Sequence, residues 1–181
     1  MGIILASRSP RRTDLLAARG VQFTVDPADI DESVHAGENP LHYVRRMSET
    51  KHAVVAARHA HDTVIAADTI VELDGVVHGQ AVDEHAARCA LLVLSGATHN
   101  VHTCVTVGTP DRATSHVVTS KVTFRALSPG LVDWYLGTGE WRGKAGSYAV
   151  QGLGSALVAG VHGSLSNVVG LPVAETLALL R

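Results

Sequence analysis

Three groups of polar residues stand where local structure alone does not explain them. The first is Ser7-Arg8-Ser9-Pro10-Arg11-Arg12, which follows a short apolar run and opens a helix. Hydroxyls, a helix N-terminus and guanidinium forks together suit an anion, phosphate above all. The plainer alternative is a capped helix with solvated charges. The second is Asp68-Thr69, set into the β-rich run 63–73. An acid where a core strand ends is where α/β proteins place chemistry, although Asp also serves at bulges. The third is Lys51. Val44, Met47, Val54 and Val55 fall on one stripe of a helix at about 100° per residue, and Lys51 lies in its middle. A bare ammonium on an apolar face is costly. Either its stem carries the charge out to solvent, or the face borders a cleft where Lys51 meets an anion.

Lysines number only three, Lys51, Lys121 and Lys144, against twelve arginines. The lysines are thus candidates for positions that need a compact charge. Cations beside acids suggest a phosphate substrate with a divalent metal, Mg or Mn, bridging phosphate oxygens and carboxylates. There is no GxxxxGK[ST] and no G-x-G-x-x-G after the first strand, so neither a P-loop nor a Rossmann dinucleotide site is supported.

The elements that must hold these groups alternate. Strands are expected at 2–6, 21–25, 63–73, 76–77, 99–107, 114–125 and 148–151. Asp74-Gly75 provides a hairpin turn. Helices are expected at 11–19, stopped by Gly20, from Asn39-Pro40 to about His61, at 83–94, from Ser128-Pro129, and at 172–181. The third helix is expected to turn Ala86, Cys89, Ala90 and Val93 inward, and the fourth Leu131, Trp134, Tyr135 and Leu136. Loops fill 26–37, 137–146 and 160–170. Mixed helices and strands mean α/β or α+β.

With 181 residues, 46% of them hydrophobic, the chain is long enough to bury a core as one domain, 1–181. A net charge of -2 excludes a basic surface gripping nucleic acid, and 4% aromatics argue against a base-stacking platform. High hydrophobicity with low net charge excludes a disordered chain. Cys89 and Cys104 lack CxxC spacing and read as reduced core thiols. The eleven histidines are scattered, without HExxH. The apolar run near Ile3 is too short for a signal-peptide core, and no run could span a membrane. A cytoplasmic protein with no nucleic-acid or membrane partner is expected; a homodimer is the one assembly considered.

Seven stretches, in order, resemble the Maf family of nucleoside triphosphate pyrophosphatases. They are LASRSPRR (5–12), Asp31-Glu32, Lys51, ADTIV (67–71), LSGATH (94–99), KAGSY (144–148) with Gln151-Gly152, and SNVVGLP (166–172). The resemblance covers essentially the whole chain. It implies an α/β, two-lobed, inosine-triphosphatase-like fold with a mixed central sheet and a deep substrate cleft. It also implies metal-dependent hydrolysis between the α and β phosphates, giving monophosphate and pyrophosphate. On this resemblance Asp68 is the catalytic acid, Glu32 and Asp68 hold metal, and Ser7, Arg12 and Lys51 bind phosphate.

Three further positions divide the family by substrate. Arg11, Thr69 and Gln151 match the branch acting on dTTP and UTP, and modified pyrimidine nucleotides come within the same reading. The amide of Gln151 can both donate and accept toward a uracil-type edge. One departure is Gly79-Gln80-Ala81, where the family usually has Gly-Lys-Pro. The missing ammonium keeps one alternative open, a catalytically weak nucleotide-binding regulator of cell division; a purine house-cleaning pyrophosphatase is a separate alternative, to be judged by competing ITP against UTP.

Overall fold

The structure is a computed structural model and describes residues 2–181. Seven strands and six α-helices are interspersed along the described chain. The strands are β1 (Ile3–Leu5), β2 (Thr24–Val25), β3 (Thr63–Leu73), β4 (Val76–His78), β5 (Thr98–Thr109), β6 (Arg112–Phe124) and β7 (Val158–His162). The helices are α1 (Pro10–Ala17), α2 (Pro40–Ala56), α3 (Glu84–Leu94), α4 (Pro129–Gly137), α5 (Leu165–Val169) and α6 (Val173–Leu179), with a 3-10 turn at Gly152–Leu157. One mixed sheet has the order β2-β1-β3-β5-β6-β7, and β4 pairs with β3. β1 runs parallel to β2 and β3, whereas β4 and β7 are antiparallel to β3 and β6. The α/β expectation holds.

The chain divides into two compact units. The first comprises Met1–Thr69, Thr103–Val118 and Gly170–Arg181; the second comprises Ile70–His102 and Thr119–Val169. In the first unit the sheet is covered on both faces, which is why β1 and the start of β3 read as unbroken apolar runs. Leu5, Ile65 and Ala67 pack with Leu16 of α1 and Val173 of α6. Ile4, Ala6, Val64 and Ala66 pack with Val55 and Ala56 of α2. This period-two alternation hands Asp68 to the α2 side and Thr69 to the α1 side. The second unit has its own core, in which Ala87, Leu91 and Leu94 of α3 meet Val132, Tyr135 and Leu136 of α4.

The caps form where polar residues precede helical runs. Asn39 accepts from Leu41 N, Asp83 from Ala86 N, and Ser128 from Leu131 N. Asp74 and Gly75 both take positive φ, 52° and 81°, as a two-residue primed turn requires.

Several expectations are corrected. Asp68 does not end a strand; it lies mid-way along β3, whose eleven residues are continuous. α2 stops at Ala56, short of His61, and the next residues turn so that His59 Nε2 reaches Asp26 Oδ2 at 2.8 Å. Val54 lies at the edge of the apolar stripe and is exposed. α3 buries Ala87, Leu91 and Leu94, leaving Cys89 and Val93 outside. That helix has small or apolar residues on two sides, and the side with two leucines buries more surface. Cys104 is buried as expected. On α4, Trp134 is exposed and Val132 takes the inward place. Residues 148–151 form no strand, while 160–170 includes the end of β7 and all of α5.

Candidate active site

Six of the sequence-selected side chains converge in the first unit: Ser7, Arg12, Glu32, Lys51, Asp68 and Thr69. Lys51, on the buried face of α2, places Nζ 2.7 Å from Asp68 Oδ1 and 2.7 Å from Glu32 Oε1. The snorkelling alternative is thereby excluded: the ammonium ends on two carboxylates. Asp68 is 8% exposed and Lys51 9% exposed, whereas half of the Glu32 side chain is open to solvent. Burial raises the Asp68 pKa above its ordinary value, against the pull of Lys51 and Arg12. Glu32 adds a like charge that raises it further.

Glu32 is placed by a loop that only the family resemblance marks, at Asp31-Glu32. Tyr43 of α2 donates its hydroxyl to Glu32 O at 2.8 Å. Arg46, one turn on, grips both oxygens of Glu38 at 2.6 Å and donates to Ser33 O at 3.0 Å. This charge-assisted fork pulls Glu38 down to a pKa of about 2. Asp31 accepts from Ser33 N, closing a turn around Glu32.

Arg12, on the first turn of α1, spreads its guanidinium over three partners. Nε donates to Gly170 O at 2.7 Å, Nη1 to Ser7 Oγ at 3.1 Å and Nη2 to Thr69 Oγ1 at 3.0 Å. Ser7 Oγ also accepts from Ser9 N at 3.2 Å. With two acceptor bonds made, what Ser7 offers a ligand is its O–H. Thr69 Oγ1 meets Thr103 Oγ1 at 3.0 Å and lies 3.4 Å from Gly170 O. Gly170 lies in the SNVVGLP stretch, whereas nothing in the sequence marks Thr103. Gly170 adopts φ 129°, a conformation that favours glycine. Burial lowers the Arg12 pKa against the pull of Asp68, and the like charge of Arg11 adds a smaller push in the same direction.

Gln151 belongs to the second unit. It is exposed and precedes the 3-10 turn without making a side-chain cap. That turn is held by Glu140, which accepts from Leu153 N and Gly154 N. Gln80, also exposed, bridges Ala145 through its backbone, and Gly146 N donates to His78 O and Gly79 O. The loop that carries Lys144 is therefore fastened beside position 80.

The donor set fits a hard divalent cation. Oxygens of two carboxylates already converge on one positive centre, and Mg²⁺ commonly uses one or two carboxylates with water and phosphate oxygens completing its shell. Among the described residues no cluster of three or more His, Cys, Asp or Glu forms an all-protein metal cage, and no helix is long and apolar enough to cross a membrane.

Known proteins match this chain over nearly its whole length. The family described as Maf-like protein matches residues 2–181. A protein of Myxococcus xanthus named dTTP/UTP pyrophosphatase is 52% identical, over 99% of this chain and 91% of its own. Proteins of the same name from Anaeromyxobacter dehalogenans and Zymomonas mobilis are 48% and 47% identical, covering 99% and 98% of this chain and 92% and 89% of their own. Among solved structures, the Staphylococcus aureus Ham1 protein is similar over 68% of this chain and 72% of that one, with a TM-score of 0.46 and 18% identity. With a family match that leaves out only the first residue, the chain belongs to the Maf-like family.

Proposed function

We propose that the protein hydrolyses dTTP and UTP between the α and β phosphates, releasing the monophosphate and pyrophosphate. The observation that carries this reading is the buried Asp68–Lys51 pair with Glu32 at its solvent-facing side, beside an Arg12 that Asp68 feels electrostatically. Two acids and two cations are what a metal–triphosphate complex needs from a protein. The names of the relatives support the pyrimidine substrate, as do Arg11, Thr69 and Gln151.

Phosphoryl chemistry of this kind is mainly positioning and charge neutralisation. Glu32 and Asp68 would hold Mg²⁺ or Mn²⁺, which when bound supplies Lewis-acid stabilisation of the phosphate oxygens. Arg12 and Lys51 neutralise the triphosphate, and Ser7 donates its O–H to a phosphate oxygen. Asp68, or a water that it orients, accepts the proton of the attacking water. Thr69 acts through Arg12, fixing the guanidinium that it bonds. Gln151 is assigned to the base edge. The reading takes 1–181 as one functional domain around a substrate cleft, working in the cytoplasm, with a homodimer as the assembly to test.

The decisive experiment incubates the protein with dTTP, UTP, ITP and 7-methyl-GTP in Mg²⁺ or Mn²⁺ and identifies both products. Pyrophosphate from dTTP and UTP in preference to the others is expected. Orthophosphate with a diphosphate would refute the cleavage position, and preference for ITP would favour the purine reading. Gln80 is the one feature favouring a nucleotide-binding regulator; UTP binding without any pyrophosphate would support it.

A further inference from the structure

In the nucleotide-free protein Lys51 Nζ sits 2.7 Å from Asp68 Oδ1 and 2.7 Å from Glu32 Oε1. It therefore occupies the space between the two carboxylates that the proposed divalent cation would use. We propose that Lys51 is a resident counter-ion that competes with the cation for these carboxylates, so that free metal is held weakly and metal with triphosphate is held well. The inference rests on reading the site as a metal-dependent triphosphate site, and it adds an order to its assembly.

The argument is one of charge and space. Asp68 and Glu32 carry two negative charges, and Lys51 cancels one of them. A dication bonded to the same oxygens would lie against the ammonium, with Asp68 and Lys51 both nearly closed to solvent. Little water is available to screen that repulsion. Lys51 must therefore withdraw before the carboxylates can be shared with metal. A lysine can do this, because its ammonium is a point charge on a flexible stem rather than a fixed fork. Glu32 provides the opening, since half of its side chain faces solvent while Tyr43 holds its backbone. A triphosphate gives the displaced ammonium a new anionic partner. Nucleotide thus removes the competition that opposes metal, and by linkage metal strengthens nucleotide binding by the same factor. Free metal alone obtains no such exchange.

The test titrates Mn²⁺ calorimetrically into nucleotide-free protein at pH 8. Lys51→Met should bind Mn²⁺ about tenfold or more tightly than wild type, within the usual range of coupling between sites. Lys51→Arg, whose fork stays on the carboxylates, should bind it more weakly. A UTP analogue that resists α–β cleavage should tighten Mn²⁺ binding to wild type by a larger factor than it does to Lys51→Met. Equal or weaker Mn²⁺ binding by folded Lys51→Met, or none by either protein, overturns the inference.

Should Lys51→Met fail to fold, wild-type protein carrying ¹³Cε-lysine decides. It has three lysine signals, and Lys121→Arg and Lys144→Arg assign them. Mg²⁺ with the UTP analogue should shift the Lys51 signal strongly, and Mg²⁺ alone only at far higher concentration. A Lys51 signal unmoved by the complex, or moved equally readily by Mg²⁺ alone, overturns the inference. Pyrophosphate release by wild type is scored separately, so that failure of the enzymatic reading is distinguishable from failure of this one.

Discussion

β3 carries two carboxylates four residues apart, Asp68 and Glu72, and each is 8% exposed. Equal exposure does not give them equal chemistry, because Asp68 is the more deeply enclosed of the two. Burial pushes both pKa values up, and at Asp68 it prevails over Lys51 and Arg12. At Glu72 the opposing bonds prevail, and its pKa lies below the ordinary value. Glu72 accepts from Asn100 Nδ2 at 2.7 Å and from Gly75 N, and His102 Nε2 lies 3.5 Å away. These partners serve Glu72 within a closed local network. Asp68 shares its one ammonium with a second acid, Glu32. A carboxylate enclosed by dedicated donors anchors a hairpin, whereas one whose counter-ion is shared is left ready for a ligand.

The sharpest way to break this contrast is to neutralise each acid in turn. Asp68→Asn should lower turnover with UTP by about 10²-fold or more, the scale of a lost general base. Glu72→Gln should leave turnover nearly unchanged and instead lower unfolding free energy by about 1–3 kcal/mol, since a buried hydrogen-bond network is broken. Pyrophosphate release and urea unfolding on both variants provide the comparison. A slow Glu72→Gln enzyme, or a fully active Asp68→Asn, would erase it.

Arg12→Lys comes next. A single ammonium cannot reach Gly170 O, Ser7 Oγ and Thr69 Oγ1 together as the guanidinium does. kcat/KM for UTP should fall about tenfold, which corresponds to the loss of one charge-assisted hydrogen bond. Steady-state kinetics would show it, and unaltered kcat/KM would remove the fork from the site.

The two acids should also respond oppositely to pH. The folded protein binds a proton at Asp68 more tightly than the unfolded chain does. The Asp68 contribution to stability is therefore lost as pH rises from the ordinary carboxylate value through the raised one. Glu72 has the reverse sign: its contribution is present above the ordinary Glu value and is lost as pH falls through the lowered one. Urea unfolding between pH 3 and 7 should show the wild-type advantage over Glu72→Gln growing with pH. The advantage over Asp68→Asn should shrink. Parallel curves would show that the two environments do not differ.

The smallest effect is expected at Gln80. Its side chain is exposed, so Gln80→Lys gains only a screened attraction, about two- to threefold in kcat/KM for UTP at low salt. The gain should vanish at high salt. A salt-independent change would mean that the substitution acts through the Gln80–Ala145 bridge rather than through charge.

Much of the frame was legible because it depends on neighbours in sequence. The bounds of β3, the Asp74-Gly75 turn and the caps at Asn39, Asp83 and Ser128 follow from local backbone chemistry. The inward face of α3 was not legible, because apolar residues lie on two sides of that helix and only its packing against α4 chooses between them. β7 was hidden in a glycine-containing stretch whose pairing with β6 is made across some forty residues of chain.

The candidate site divides the same way. Residue type and position alone marked Ser7, Arg12, Lys51 and Asp68 as polar groups out of keeping with their surroundings. The sequence also determined, through strand parity, that Asp68 and Thr69 must point to opposite faces. Only the tertiary structure decided what each meets: Lys51 and Glu32 for Asp68, Arg12 and Thr103 for Thr69. Parity is a property of one strand, but the partner of a buried charge is supplied by whichever helix and loop the fold brings over it.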